Sequence, residues 1–312
     1  MTTLDALSGD ARERLEADLT RKRLVELELD PVRGSFDADH LREVHRRVFQ
    51  DLPSHGLDHV QPGVFREPVE AGRDWVKNRG LSTVPGSFFV AYSSMDDAAK
   101  DRLERVLQAS PPRLLASLKT AEFTASFGAL YAELDYLHPF AEGNSRALRV
   151  FTRQLSRAAG YDVDWARFAR SEAGRDLLYI ARDRSVNALA LPHVAHENTA
   201  RRVIGSADRL SGNRDLPDLL RDAVRPMRAI AFERSGEADA LASHPELASA
   251  YNLLHAVRQR LAIDGVSAEQ QDVVVTRIRA ELASRLERGD LPQTGNRAVA
   301  RGLGGNDPDR MR

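Results

Sequence analysis

The feature of the sequence that most constrains its fold is an apolar stripe of helical period in the middle of the chain. Five large apolar side chains recur there at steps of four, three, four and three residues: Phe123, Phe127, Leu130, Leu134 and Leu137. This spacing places all five on one face of an α-helix, and such a stripe faces a core. The sequence therefore predicts a helix over residues 113–137, closed by the His138-Pro139 pair.

Similar patterns predict helices along most of the chain. We expect them at 8–28, at a stretch that carries Leu41, Val44 and Val48, and at 97–108, 144–159, 164–169, 174–190 and 197–210. Further helices start at Leu216 (with a kink at Pro226), near Pro245 and at Ser267. Strand signals are rare. The segment that begins Val84-Pro85-Gly86 and ends at Tyr92 is either a short strand or hairpin or a buried apolar loop. The prediction is an all-α fold.

Composition excludes several classes of site. The 312 residues contain no cysteine, which excludes disulfides, thiolate metal sites and a cysteine nucleophile. The 45 basic residues are balanced by 46 acidic ones, so we expect no nucleic-acid substrate. No apolar run approaches the roughly 18 residues that a membrane helix needs, and the N-terminus lacks a signal-peptide pattern. We expect a cytoplasmic protein without a membrane partner.

The polar stretch Ser211-Gly212-Asn213 is the predicted domain boundary. It divides the chain into a first domain at 1–212 and a helical C-terminal module at 213–293. The tail at 294–312 has almost no apolar side chain to bury, and we expect it to be disordered.

One segment has the residue types of an anion site: residues 138–149 read HPFAEGNSRALR. Gly143 lets the backbone come close to a ligand. Asn144 or Ser145 can cap the helix that follows, and the N-terminus of a helix attracts anions through its free amides and its dipole. This part of the segment predicts a cradle for phosphate.

The same segment also carries groups for catalysis. Arg146 and Arg149 are three residues apart, so they lie on one helix face and can both bind phosphate oxygens. Glu142 is a carboxylate beside the anion, which is a typical position for a magnesium ligand. His138 can take up a proton near neutral pH. Each feature alone is commonplace, and the combination in this order is specific.

The segment resembles the signature of the Fic family, HxFx(D/E)GN(G)RxxR, at every position except one, where Ser145 replaces the second glycine. Three other stretches are similar to the family: FDADHL and HRRVF at 36–49, FGALYAEL at 127–134 and YDVDW at 161–165. The resemblance covers roughly residues 10–200. It implies a helical Fic core with a small β-hairpin flap, followed here by the additional helical module.

Fic enzymes mostly transfer AMP from ATP to a hydroxyl side chain of a target protein, and the resemblance implies this activity. His138 would be the general base that takes the proton of the target hydroxyl. Glu142 would hold Mg²⁺ at the phosphates. The phosphates themselves would be bound by Gly143, Asn144, Ser145, Arg146 and, at the γ-phosphate, Arg149.

The resemblance also implies a protein partner. The flap would correspond to the segment from Val84 to Tyr92, with Phe89 as a clamp, and would hold the target segment with its Ser, Thr or Tyr by strand addition. In the Doc branch a lysine stands at the position of Ser145, the nucleotide binds reversed, and the terminal phosphate is transferred. Serine is small and uncharged, which favours AMP transfer; phosphate or other nucleotidyl transfer, and a non-catalytic binding module, stay open.

Many members of the family are inhibited by a glutamate in an (S/T)xxxE(G/N) motif that pairs with the second arginine of the signature. Here Glu precedes Gly or Asn only at Glu142 and Glu197, and the residues four before them are His138 and His193. Two interpretations follow. Either a separate antitoxin protein supplies the glutamate to Arg149 of a toxin, or the chain is an effector whose target lies in a recipient or host cell.

Overall fold

The computed structural model describes residues 9–291, and the chain divides into two compact units, Met1–Val224 and Arg225–Arg312. The first unit is built from ten helices among its described residues: α1 (Gly9–Leu29), α2 (Ala38–Phe49), α3 (Asp97–Gln108), α4 (Pro112–Ala116), α5 (Thr120–Leu137), α6 (Asn144–Ala158), α7 (Ala166–Ala169), α8 (Glu172–Ala190), α9 (Glu197–Arg209) and α10 (Leu216–Leu220). Its strands are β1 (Trp75–Gly80), β2 (Ser87–Tyr92) and β3 (Tyr161–Val163). The predicted all-α class is confirmed.

Helix α5 is the centre of the first unit. All five residues of its apolar stripe are buried in the main core, and the helix packs against α3, α6, α8 and α10. The predicted helix over 113–137 is wrong in one respect, because it is two helices. The helix is interrupted between Ala116 and Thr120. At the start of α5, the Glu122 carboxylate accepts a hydrogen bond of 3.1 Å from the Lys119 amide.

A β-hairpin lies beside these helices. β1 and β2 are antiparallel, with Trp75 opposite Tyr92 and Gly80 opposite Ser87. Of the two interpretations of the segment ending at Tyr92, the strand is correct. Its partner β1 was not predicted, since WVKNRG is largely polar and has no apolar alternation. The hairpin is packed through β2 against α8 and α9.

Side chains from α8 and α9 occupy the outer edge of β2. The amide of Phe89 donates to Ser206 Oγ at 2.9 Å, and the amide of Ala91 donates to Asn187 Oδ1 at 3.1 Å. Asn187 Nδ2 in turn donates to the Phe89 carbonyl at 2.9 Å. This edge of the hairpin is therefore closed to a further strand.

The second unit has four helices among its described residues: α11 (Met227–Arg234), α12 (Glu237–Ser243), α13 (Ala248–Ile263) and α14 (Ala268–Glu287). A short strand, β4 (Val224–Pro226), spans the point of division. The predicted kink at Pro226 is wrong, because the helix from Leu216 has already ended and Pro226 is the N-cap of α11. The tail at 294–312 lies outside the described residues.

The division after Val224 differs from the boundary expected at 211–213. Helix α10 explains the difference, since Leu216, Leu219 and Leu220 are buried in the core of the first unit. The polar, glycine-containing stretch at 211–213 is a turn, and the helix after it still packs in the core of the first unit. Among residues 9–291, no helix combines the length and the apolar content needed to cross a bilayer.

Replacing Leu220 by Ala tests whether α10 belongs to the first core. The side chain is fully buried, so the variant is expected to lose about 2–5 kcal/mol of unfolding free energy. Leu29→Ala is the matched control, because Leu29 is 83% exposed and its truncation should cost no more than about 0.5 kcal/mol. Denaturant unfolding followed by tryptophan fluorescence measures this unit, since both tryptophans lie in it. Equal midpoints for the two variants would contradict the assignment.

Candidate active site

The segment singled out in the sequence forms the turn between α5 and α6. His138 ends α5 in the left-handed region, at φ 45°, and Gly143 precedes α6 in the same region, at φ 81°. Arg66, which is buried, supports the turn from outside, because its Nε donates to the His138 carbonyl at 2.9 Å and its amide to the Pro139 carbonyl at 2.9 Å. The two left-handed residues bring both ends of the turn together.

The predicted cap on α6 by Asn144 or Ser145 is wrong. Gly143 is the N-cap and provides no side chain, while Asn144 is already the first helical residue. The Asn144 side chain closes the turn instead: its Oδ1 accepts from the Phe140 amide at 2.9 Å and its Nδ2 donates to the Phe140 carbonyl at 2.6 Å. The amides of Gly143, Asn144 and Ser145 consequently have no acceptor in the described part of the chain.

Gly143 cannot be replaced without moving a core residue. A Cβ built there would overlap the Phe49 ring, which is fully buried, and would come within 3.2 Å of His45 Nε2. The positive φ disfavours any other residue as well. The glycine predicted for its backbone freedom is thus required by two separate constraints.

His45, which lies on α2, holds the turn between α5 and α6 in place. Its Nδ1 accepts a hydrogen bond of 2.9 Å from the Gly63 amide, and its Nε2 donates to the Glu142 carbonyl at 3.0 Å. The ring also stacks on Phe140 with 3.8 Å between ring centroids. These contacts need the neutral imidazole, and burial lowers the pKa of His45 to about 4. The sequence analysis places His45 in a stretch similar to the family and assigns it no role.

A cavity of about 220 Å³ opens at this turn. It is lined by His138, Glu142, Gly143, Asn144, Ser145 and Arg146 from the predicted set and by Tyr92, the last residue of the expected flap segment. Four further lining residues were not indicated by the sequence: Lys77, Arg79, Tyr179 and Arg182. The lining thus holds four cationic side chains and one carboxylate, Glu142, which lies 3.7 Å from Lys77. The other three cations, all arginines, pair with carboxylates outside the lining. A larger cavity of about 430 Å³ shares only Tyr92 with this one and contains none of the predicted site residues.

The two arginines of the segment differ in their surroundings. Arg146 Nη2 makes an ion pair of 2.6 Å with Glu16 of α1, and its guanidinium stacks over the Phe49 ring. Arg149 does not line the 220 Å³ cavity; it opens onto an adjacent cleft of about 290 Å³ that it shares with Arg146. Its Nε donates to the Ser145 carbonyl at 3.1 Å, and no carboxylate pairs with it within residues 9–291.

His138 is buried between aromatic rings. The centroid of Tyr92 lies 4.1 Å and that of Trp75 5.2 Å from its imidazole. Burial lowers the pKa of His138, with the Asp135 carboxylate acting in the opposite direction. The ring is therefore neutral near pH 7 and can accept a proton from a group in the cavity.

Comparison with known proteins identifies the family of the chain. The sequence profile of the Fic/DOC family matches residues 35–156. The chain is 30% identical over 158 residues to the probable protein adenylyltransferase Fic of Escherichia coli, covering 49% of this chain and 67% of that protein. It is 32% identical over 178 residues to the protein adenylyltransferase VbhT of Bartonella schoenbuchensis, covering 56% of this chain. The chain belongs to the Fic/DOC family.

The chain spans only about a third of the length of VbhT, 32%, and 26% of a protein adenylyltransferase of Bartonella henselae. Among solved structures, the N-terminal Fic domain of a putative cell filamentation protein of Bartonella quintana, with bound ADP, is similar at a TM-score of 0.43 and 20% identity. That match covers 73% of this chain and 91% of the other.

His45 gives the site a predictable dependence on pH. Its pKa is about 4 in the folded chain and about 6.5 when unfolded, so its contribution is complete above pH 6.5 and is lost as the pH falls toward 4. His45→Phe removes the titration and keeps a ring against Phe140. The difference in unfolding free energy between the natural chain and this variant should shrink by on the order of 3 kcal/mol between pH 7 and pH 4.

The comparison with the variant is needed because burial also lowers the pKa values of His40 and His138. Denaturant unfolding at several pH values measures both proteins. A difference that stays constant with pH would show that His45 is not held as the neutral tautomer.

Proposed function

We propose that this member of the Fic/DOC family transfers AMP from ATP to a hydroxyl side chain of a protein. The observation that carries the proposal is the juxtaposition of a neutral, buried His138 with the free amides at the start of α6, in one cationic cavity. Free amides at a helix N-terminus bind phosphate oxygens, and a neutral imidazole beside them can take a proton. The related proteins named adenylyltransferases support the same activity.

The reaction needs one proton transfer and one exchange of bonds to phosphorus. His138 takes the proton of the target hydroxyl while its oxygen bonds to the α-phosphorus, and the bond from that phosphorus to pyrophosphate breaks. The amides of Gly143, Asn144 and Ser145 and the cations Lys77 and Arg146 stabilise the charge that develops on the phosphate oxygens.

The site also fits magnesium. Glu142 is a half-exposed carboxylate at the mouth of the cavity, and Mg²⁺ is commonly held by one or two carboxylates together with substrate phosphates. Residues 9–291 contain no cluster of three metal-ligating side chains, which suits a metal that arrives with the nucleotide. When bound, Mg²⁺ would neutralise phosphate charge, and Glu142 is the residue that would hold it.

Arg149 and Ser145 bear on the group that is transferred. Arg149 has no carboxylate partner within the described residues and is available to a γ-phosphate. Ser145 adds no charge at the start of α6, so it leaves the amides open to the α- and β-phosphates. Transfer of the terminal phosphate is the alternative, and it requires the reverse orientation of ATP.

The target segment is proposed to add to β1, which changes the edge expected from the sequence. The outer edge of β2, which lies within the expected segment from Val84 to Tyr92, is closed by Ser206 and Asn187. Backbone groups of Val76 and Asn78, which lie opposite Ala91 and Phe89, point away from β2. They have no backbone partner beyond the hairpin in the described chain, and the neighbouring Lys77 and Arg79 line the cavity.

A role as a toxin or secreted effector, with restraint by a separate antitoxin, belongs to the same proposal. Its support is the missing inhibitory motif together with the unpaired Arg149, which leaves a guanidinium for a partner's glutamate. Among the described residues, Glu16 is a glutamate that pairs with an arginine of the signature, but its partner is Arg146 and not Arg149.

Labelled ATP tests the activity. Incubation with a bacterial or host lysate and α-labelled ATP should label protein, whereas γ-labelled ATP should not. His138→Ala should lower the rate by about 10²–10⁴-fold, the usual contribution of a positioned base, while ATP binding persists because the phosphate cradle is intact. Label from γ-labelled ATP alone would indicate phosphate transfer, and no label with either would indicate a binding module.

Asn78→Pro tests the docking edge. Proline removes an amide that faces away from β2, so the hairpin should survive, while an added strand loses a hydrogen bond. The KM for the protein target should rise by about three- to tenfold, the equivalent of roughly 1 kcal/mol, with the KM for ATP unchanged. Asn78→Ala, which keeps the amide, is the control. Equal behaviour of the two variants would contradict docking on β1.

A further inference from the structure

A ring nitrogen of His138 and a carboxylate oxygen of Asp135 are buried and face each other, but no hydrogen bond joins them. His138 Nδ1 and Asp135 Oδ1 are both excluded from solvent, neither has a hydrogen-bond partner within residues 9–291, and they are 3.7 Å apart. Asp135 is on the last turn of α5, three residues before His138, and is completely buried. Leaving such groups unpaired is costly, and each of these two atoms offers the other a partner.

Arg182 of α8 binds only one of the two carboxylate oxygens of Asp135. Both its Nε, at 3.0 Å, and its Nη2, at 2.7 Å, donate to the same carboxylate oxygen, Oδ2. The other oxygen, Oδ1, is left for His138. Burial opposes ionisation of Asp135, but the adjacent Arg182 guanidinium outweighs it and holds the pKa of the carboxyl well below its usual range. Asp135 is thus an anion with one oxygen bound and one oxygen unused.

The gap of 3.7 Å exceeds a hydrogen bond by less than 1 Å, which a small rotation of the imidazole would close. The only donor that a ring nitrogen can present to a carboxylate is its N–H. A proton on Nδ1 satisfies both buried atoms, whereas a proton on Nε2 would set the Nδ1 lone pair against the carboxylate.

We propose that Asp135 is a positioning residue, which accepts a hydrogen bond from His138 Nδ1–H and so leaves Nε2 unprotonated toward the cavity. The use of Nε2 as the base rests on the proposed function, while the tautomer does not. When Nε2 takes the target's proton, the ring becomes an imidazolium whose Nδ1–H stays on Oδ1. Arg182 keeps that proton from moving to Asp135, so the charge remains on the ring and the carboxylate stabilises it.

The ¹⁵N resonances of the imidazole report the tautomer directly. In the natural chain, labelled at histidine and measured at neutral pH, His138 should show a protonated Nδ1 and an unprotonated Nε2; the His138→Ala spectrum assigns the signals. A protonated Nε2 would overturn the proposal, whatever the activity. This measurement needs no variant of Asp135.

Asp135→Asn should remove the preference for one tautomer, because an amide oriented to accept from His138 would turn its own NH₂ toward Arg182. Asp183→Asn is the matched control: Asp183 is equally buried on α8 and pairs with Arg79, so its loss disturbs an ion pair without facing His138. Only Asp135→Asn should alter the His138 resonances. Unchanged resonances in a folded Asp135→Asn chain would overturn the proposal.

Kinetics separates positioning from general damage. Asp135→Asn should lower kcat by about tenfold or more, part of what a positioned base contributes, with little change in the KM for ATP. A loss confined to KM would contradict the assignment. If the natural chain transfers no AMP, the proposed function fails, while the tautomer still decides the role of Asp135.

Discussion

The close approach of α2 to the start of α6 is the contact on which the site depends. Because the Phe49 ring occupies the space of a side chain at Gly143, the helix begins without a capping group and its first amides stay free. His45, one turn earlier on α2, binds the Glu142 carbonyl and so fixes the residue before the glycine. A helix of the core therefore shapes a cradle that would otherwise be an ordinary surface turn.

Buried charge supplies the rest of the site. Arg79 of β1 pairs with Asp183, and Arg182 pairs with Asp135, so two ion pairs join the hairpin and the end of α5 to α8. Such pairs contribute little net stability, since desolvation offsets their attraction. Their effect is on position: they hold two guanidinium groups at the cavity wall and an anion behind the histidine.

The sequence was informative wherever the determining residues are contiguous. The turn from His138 to Arg149 carries its own chemistry, and the stripe from Phe123 to Leu137 locates the central helix. It was uninformative where distant residues meet. Polar β1 has no strand pattern, Asp135 and Arg182 resemble solvent-facing charges on helices, and the role of His45 depends on Gly63 and Glu142. Asn144 was wrongly predicted to cap α6. Its side chain can also hydrogen-bond to the backbone of Phe140, and in the structure it does so.

The most direct test of the account is a crystal structure with a non-hydrolysable ATP analogue whose α- and β-phosphorus atoms are joined by carbon. The account predicts phosphate oxygens on the amides of Gly143, Asn144 and Ser145, with the α-phosphorus within reach of a hydroxyl placed at His138. An analogue bound with its γ-phosphate beside His138 would contradict AMP transfer. An analogue in the larger cavity, lined by Arg73 and Arg102, would contradict the site itself.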